Sequence, residues 1–444
     1  MNDKIITFGC RLNFSESQII ADHIKKLNLE SDVIVIHSCS VTKNADKESM
    51  DKVRELIKNN SNSNCKKKIF VTGCSAQLDP EKYLALGVDR VIGNEDKLKI
   101  ESYNLDLDPS GNLTKNKIWS DLSRLKRIEN LPKTTVIEGR TRGLIQIQNG
   151  CDHDCTFCVI YKARGKNRSV PLADIFEQIR ILVENSYQEI VFTGVDITDY
   201  GKDFNNDLTL AKLIKKTLSL FPQISRLRLS SIDVAEIDDE LFHLIAYEPR
   251  IMPYIHISMQ SGSDLILKRM KRRHLSSDIR TFCLNLLKLR PDLVFGADII
   301  AGFPTETEEL FQETINLIQS EIPNFVHLHI FPFSAHSGTA AARMPQVNGK
   351  IIKERARILR NIHHNNKLNF FENIINNNDI LSDVLYETKN IGKTPQFFKV
   401  KLVNNDDNNQ DIVGKILKTR LFSIEKDPKN SLNPFYFLGE LIKN

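Results

Sequence analysis

Residues Gln146 to Cys158 read QIQNGCDHDCTFC and carry Cys151, Cys155 and Cys158 as C-x3-C-x2-C. A loop this short can turn three thiolates toward one point, and soft sulfur ligands select zinc, copper(I) or iron–sulfur clusters over hard cations. No fourth cysteine follows within reach. Structural zinc sites close with four protein ligands, whereas a cubane held by three thiolates leaves one iron open for another ligand. The alternative is a zinc loop that borrows His153.

Upstream, residues 4–8, 33–37 and 68–72 are short runs rich in Ile, Val and Phe that read as buried strands. Helical patterns separate them, one starting at Ser15 as N-cap and carrying Ile19, Ile20, Ile24 and Leu27, another over 44–57. Strand alternating with helix predicts an α/β domain built on a doubly wound parallel sheet. The three strands end in Phe8-Gly9-Cys10, His37-Ser38-Cys39 and Thr72-Gly73-Cys74. Ligands of such sheets bind beyond the carboxyl ends of the strands, which makes Cys10, Cys39 and Cys74 a second candidate three-thiolate site. The small neighbours Gly9, Ser38 and Gly73 would let the backbone approach a bulky ligand. Cys65 sits in a polar tip, KNNSNSNCKKK, and Cys283 on the apolar side of a helical pattern, so neither is a ligand candidate.

Downstream of the linker, strand candidates at 144–148, 189–193, 226–229, 254–259, 294–300 and 325–331 alternate with helical segments that include 172–185, 208–220, 277–289 and 305–321. This pattern predicts a partial (β/α)6 barrel of the TIM type, whose functional residues collect at the carboxyl ends of the strands. Those ends are the cysteine loop, Thr193-Gly194-Val195-Asp196, Ser230-Ser231, Gln260-Ser261-Gly262 and Ala301-Gly302-Phe303-Pro304. Short strands at 380–386, 398–403, 412–417 and 435–441, with the hairpin NNDDNNQD between the second and third, predict a small all-β barrel at the end. The expected domains are 1–103, a polar linker over 104–142 around the turn Asp108-Pro109-Ser110-Gly111, 143–376 and 377–444.

Across 444 residues, 41% apolar and 26% charged, there is ample sequence for two or three ordinary domains. The net charge of +5 is too small to imply a polyanionic partner, so local clusters must carry that argument. Five of the six residues from Lys268 to Arg273 are basic and read as RNA-phosphate contacts. The seven basic residues spread over 343–367 fit a solvated helix face equally well. Neither a secretory signal nor an apolar run of about eighteen residues is visible, which points to the cytoplasm, where cysteines serve metals better than disulfides.

The cysteine loop, with Phe157 before its last cysteine, resembles that of the radical S-adenosylmethionine (SAM) enzymes. With two three-cysteine sites in this order, the chain resembles the radical SAM methylthiotransferases. The resemblance implies an N-terminal domain whose auxiliary 4Fe–4S cluster is held by Cys10, Cys39 and Cys74. It implies a central domain whose 4Fe–4S cluster, on Cys151, Cys155 and Cys158, binds SAM at its open iron, and a small C-terminal barrel called TRAM. SAM contacts would come from Gly194 at the amino group, Ser231 at the ribose, Gly302 on the adenine side, and Gln260. The stretches TGVDITDYG, from Thr193 to Gly201, and HISMQSGSDLILKRMKRRH, from His256 to His274, are similar to the subgroup acting on N6-threonylcarbamoyladenosine beside the tRNA anticodon. The other substrates in the family are isopentenyladenosine in tRNA and an aspartate of a ribosomal protein. The implied reaction uses one SAM to methylate sulfur on the auxiliary cluster and a second, reduced at the other cluster, to remove hydrogen from carbon 2 of the adenine. An electron donor and a sulfur donor are needed and neither is specified by the sequence. Tyr161 and Lys162 replace a proline and an aromatic usual in the family, and Ala335, His336 and Ser337 stand where an arginine and prolines are common. A rival of another class is a non-catalytic zinc-containing RNA-binding protein, separable by metal analysis: iron with sulfide for the enzyme, zinc without sulfide for the binder.

Overall fold

The computed structural model describes residues 4–62, 65–128, 140–376, 380–403, 412–430 and 434–442. The first domain runs β1 (Ile5–Thr7), α1 (Arg11–Lys26), β2 (Val33–Ser38), α2 (Lys43–Ser61), β3 (Lys68–Gly73), the short helices α3 (Cys74–Leu78) and α4 (Pro80–Leu84), β4 (Arg90–Ile92) and β5 (Lys117–Ile118). All five strands are parallel. Because strand side chains alternate between faces, Val33, Val35, Phe70 and Ile92 pack with Ile20 and Ile24 of α1, while Ile36, Ile69, Val71 and Val91 pack with Val53 of α2 and Tyr83 of α4. Helices therefore cover both faces, as expected of a doubly wound sheet. The strand order is 1-2-3-4-5.

Two local readings change. Helix α1 starts at Arg11, with Cys10 in the N-cap position on extended backbone. Ser15 is buried inside the helix and donates to the Leu144 carbonyl at 3.4 Å, because α1 is sandwiched between its own sheet and the next domain. The stretch read as linker also places β5 on the sheet edge, and Asp108 accepts from the Ser110 and Asn112 amides in the expected turn.

The second domain comprises β6 (Arg142–Gln146), β7 (Gln148–Asn149), α5 (Ile160–Arg164), β8 (Arg168–Ser169), α6 (Leu172–Glu184), β9 (Glu189–Thr193), α7 (Leu210–Leu220), β10 (Arg226–Leu229), α8 (Asp239–Tyr247), β11 (Tyr254–Gln260), α9 (Asp264–Arg269), α10 (Ser276–Leu289), β12 (Val294–Ala301), α11 (Glu308–Asn316), β13 (Phe325–Pro332) and α12 (Gly349–Asn376). Two parallel three-stranded sheets, β10-β9-β6 and β11-β12-β13, are joined by single parallel bridges, Leu227 to Ile251 and Ile232 to Ile257. Together they form an open six-stranded barrel with helices outside. Its outer core joins Ile190, Phe192, Ile255, Ile257 and Phe295 of the strands to Ile179, Ile214, Ile245 and Leu286 of the helices. Ile19 of α1 belongs to the same core, which ties the first two domains together.

The last domain is a closed barrel of β14 (Ile380–Tyr386), β15 (Ile391–Lys393), β16 (Lys399–Leu402), β17 (Ile416–Lys426) and β18 (Phe435–Leu441), in the order 14-15-16-18-17. The strand expected at 412–417 begins only at Ile416, because Gly414 turns the chain at φ +84°. The NNDDNNQD hairpin lies outside the described residues. This barrel docks at the amino ends of the six strands. Arg226 and Arg228 on β10 bind Glu189 on β9 and donate to the carbonyls of Asp383, Lys393, Thr394 and Pro395. The Phe397 ring is surrounded by Arg11, Arg142, Arg228 and Lys393 at 4.8 to 5.5 Å, so all three domains meet there.

Candidate functional site

Each of the first three strands delivers a cysteine where its pairing ends. Cys10 caps α1, Cys39 follows β2 and Cys74 opens α3. Cys10 is exposed, while Cys39 and Cys74 are buried. Gly9 makes their approach possible, since at φ +94° a Cβ would fall 2.4 Å from the Cys39 sulfur. Gly73, at φ +102°, would drive a Cβ to 2.2 Å from the Ser38 carbonyl. Gly73→Ala is therefore expected to destabilise the domain by more than about 1 kcal/mol and to displace Cys74, read as a lower urea midpoint and lost iron binding at this site. Burial pushes the Cys39 thiol up to about 12, and Cys74 and Cys10 add to the rise. Such a thiol ionises when a metal takes the place of its proton.

Beneath these cysteines lies a buried charge network spanning two domains. Arg164, the last residue of α5, donates through Nε to the Cys74 sulfur at 3.3 Å. Its other nitrogens reach Glu16 at 2.8 and 2.9 Å, Asn13 at 2.7 Å and Asn149 at 3.0 Å. Lys97 donates to Glu16 and Asn94, each at 2.7 Å. Burial keeps His37, beside Lys97, uncharged. Two cations face one carboxylate, with side chains no more than 2% exposed, which leaves one positive charge uncompensated. A buried unpaired charge costs several kcal/mol. A dicationic cubane core with three thiolates carries one net negative charge and would balance it. The donor set and its surroundings thus fit a 4Fe–4S cluster.

The central loop is clamped by the antiparallel pair β7 and β8, and Gly150, at φ +77°, has no space for a Cβ beside the Lys166 carbonyl. Thr156 donates through its amide to the Met270 carbonyl and through its hydroxyl to the Arg269 carbonyl, and Phe157 meets Phe303 edge to face at 6.4 Å. The amides of His153 and Ile160 point at the sulfurs of Cys151 and Cys158, and Arg272 donates to Cys155 at 3.6 Å. Burial pushes the Cys158 thiol up to about 11. His153 has a ring nitrogen within 4.8 Å of the Cys151 sulfur and of Asp196, and it also binds further carboxylates. Its Nε2 lies 3.2 to 3.6 Å from Asp196, Asp199 and Glu236, and these carboxylates raise it to about 11. A cubane takes its three thiolates on three separate irons and does not require them to converge on one ion.

The other expected residues fall at the carboxyl ends of the barrel strands. Gly194 leaves room for Gln148, whose Oε1 accepts from the amides of Val195 and Asp196 at 2.9 Å. Gln260 adopts φ +67° at the end of β11, and Ser231 is half-buried after β10. The missing side chain of Gly302 faces Ile352 of α12, so packing and its φ of +73° suffice to require glycine there. Lys162 reaches the Gly338 carbonyl at 3.2 Å, which joins the two stretches that depart from the family pattern.

Part of the basic run from Lys268 to Arg273 is tied down within the protein. Arg272 and Arg273 bind Asp233, Arg273 also binds Glu236, Lys271 pairs with Asp154, and Arg269 bonds Thr305. Arg269, Arg272 and Arg273 are thus engaged within the protein, while Lys268 and Lys271 remain exposed.

Sequence reasoning also missed His256, Asp298 and His329, carried on the neighbouring strands β11, β12 and β13. Asp298 lies 3.0 Å from His256 and 3.2 Å from His329, and His256 bonds the Tyr254 hydroxyl at 2.9 Å. Burial acts to raise Asp298, Asp233 and Glu16, but His256 and His329, His274 with Arg272 and Arg273, and Arg164 with Lys97 outweigh it and hold all three well below the ordinary carboxylate range. A carboxylate with a depressed folded pKa stabilises the fold above its unfolded value of about 4 and loses that contribution as pH falls below it. The urea midpoint is therefore expected to start falling below about pH 6.5, where only the unfolded chain protonates His37, His327 and His363, and to drop more steeply below about pH 4.

Two family models match the chain: the radical SAM superfamily over residues 145–318 and the uncharacterized protein family UPF0004 over residues 3–93. The chain is 46% identical over 429 residues, 96% of each chain, to the threonylcarbamoyladenosine tRNA methylthiotransferase MtaB of Rickettsia prowazekii. The chain belongs to the radical SAM methylthiotransferases. This methylthiotransferase is 33% identical to the MtaB of Bacillus subtilis over 437 residues, covering 94% of this chain and 92% of that one. It is 30% identical over 439 residues to the tRNA-2-methylthio-N(6)-dimethylallyladenosine synthase of Orientia tsutsugamushi (strain Boryong), covering 94% and 96%. Among solved structures, the radical SAM methyltransferase TsrM of Kitasatospora setae shares the fold of this methylthiotransferase, with a TM-score of 0.51 and 12% identity over 74% of this chain and 70% of that one. The superfamily match brings SAM and a 4Fe–4S cluster with it. Among the described residues, no helix of the methylthiotransferase is long and apolar enough to cross a membrane.

Proposed function

We propose that this chain converts N6-threonylcarbamoyladenosine next to the tRNA anticodon to its 2-methylthio form. The 46% identity to the Rickettsia prowazekii threonylcarbamoyladenosine enzyme, over nearly the whole of both chains, supports this substrate over the dimethylallyl relative at 30%. Cys151, Cys155 and Cys158 would hold the cluster that binds SAM, and Cys10, Cys39 and Cys74 an auxiliary 4Fe–4S cluster. When bound, the clusters and SAM supply the radical and the sulfur chemistry.

The protein supplies position. Phe157, packed on Phe303, and Thr156, bonded to the Arg269 and Met270 carbonyls, fix the loop that carries the thiolates. His153 anchors the same loop to three carboxylates on the next strand connections. Gly194, Ser231, Gln260 and Gly302 would border SAM at the carboxyl ends of the strands, the edge where barrels of this type place their active sites. The C-terminal barrel, docked at the opposite edge, would extend the surface toward tRNA. Mass spectrometry of tRNA nucleosides from cells with and without the gene tests the reading. Loss of 2-methylthio-N6-threonylcarbamoyladenosine on deletion is expected. Loss of the 2-methylthio dimethylallyl product instead would overturn the substrate assignment.

A further inference from the structure

We infer that Arg164 is a positioning residue that joins the two cysteine sites and sets the reduction potential of the one in the N-terminal domain. The inference rests on the proposed auxiliary cluster. Arg164 closes the helix that begins two residues after Cys158, yet its guanidinium ends on Cys74 of the other domain. One rigid turn of helix thus links a ligand of each site. The guanidinium cannot swing away, because four further hydrogen bonds from its terminal nitrogens hold it to Glu16, Asn13 and Asn149. Its carbonyl is also bound, accepting from Arg168 at 2.9 Å. Asn94 adds a second, longer donor to the same sulfur at 3.7 Å and takes Lys97 on its oxygen.

A hydrogen bond to a ligand sulfur and a net positive surrounding both stabilise the more negative, reduced form of an iron–sulfur cluster and so raise its potential. The Cys74 sulfur has both: a charged donor at 3.3 Å and the buried surplus of Arg164 and Lys97 over Glu16. The central site is built differently. Its charged donor, Arg272, lies 3.6 Å from Cys155 and is neutralised by Asp233 at 2.8 Å. The amides of His153 and Ile160 also donate to the central sulfurs, so the inequality lies in charge, and the surplus of Arg164 and Lys97 over Glu16 makes the N-terminal site the easier to reduce. Nothing in the spacing of the cysteines would reveal this, since Arg164 and Cys74 are separated by ninety positions.

The test uses the full chain with Cys151, Cys155 and Cys158 all replaced by alanine, reconstituted with iron and sulfide so that only the N-terminal site can load. Its midpoint is followed by electron paramagnetic resonance during redox titration. Arg164→Gln, which removes the charge, is expected to move the midpoint to a clearly lower potential. Arg164→Lys, which keeps the charge and gives up the directed Nε donor, should fall between the two, and it decides the question by itself if the glutamine variant does not fold. A loaded cluster whose midpoint is the same in all three proteins overturns the inference and leaves the auxiliary cluster standing. Failure of the parent to take up iron and sulfide overturns both.

Discussion

Cys155→Ala is expected to reduce 2-methylthio product to background while leaving iron bound at the N-terminal site. The loop stays in place without this sulfur, because its anchors are elsewhere: Phe157 on Phe303, Thr156 on the Arg269 and Met270 carbonyls, and His153 among Asp196, Asp199 and Glu236. Arg272, which faces Cys155, keeps Asp233 as its partner and so is not stranded as a buried unpaired charge. The loss would then be one of chemistry with the fold retained, visible as unchanged urea unfolding of the metal-free protein beside absent product. Cys74→Ala makes the complementary case. Arg164 retains Glu16, Asn13 and Asn149 when the sulfur is removed, so the domain interface survives. That variant should still bind SAM at the central site and yield no methylthio product. If either alanine variant still made product in deletion cells, that site would not be needed for the reaction.

The elements that could be read in the sequence are those whose determinants are local. The strand candidates 189–193 and 226–229 coincide with β9 and β10, because each is a short apolar run bounded by turn residues. The six cysteines could be read for a similar reason, since thiols at strand ends or in C-x3-C-x2-C are a pattern within one stretch of chain. The short strands β4, β5 and β15 gave too little periodicity, and β17 was shortened because Lys418, Thr419 and Arg420 interrupt its apolar residues. What surrounds the cysteines was hidden for another reason. Arg164, Glu16 and Lys97 look like ordinary surface charges in a sequence, and only the packing of α1 between two domains makes them a buried network. The same holds in reverse for Arg272 and Arg273, which look like free cations in a dense basic run and are bound by Asp233 and Glu236.

Glu16→Ala is expected to cost about 3–5 kcal/mol in metal-free protein, because it strands Arg164 and Lys97 together in the interior. Lys97→Met should cost little or even stabilise the metal-free protein, since it removes the uncompensated charge, leaves Arg164 and Glu16 a balanced pair, and gives up only hydrogen bonds in return. The order should change when iron and sulfide are added. With Glu16 gone, the surplus of buried positive charge grows, and a cluster carrying one net negative charge relieves part of it. With Lys97 gone, the network is already neutral, and loading the cluster buries a negative charge without a partner. Loading should therefore stabilise Glu16→Ala more than the wild type, and Lys97→Met less, as read from urea midpoints with and without iron. The chelator resistance of the bound iron should follow the same order. Equal gains on loading in all three proteins would mean that the network braces the two domains without sensing the charge of what the cysteines hold.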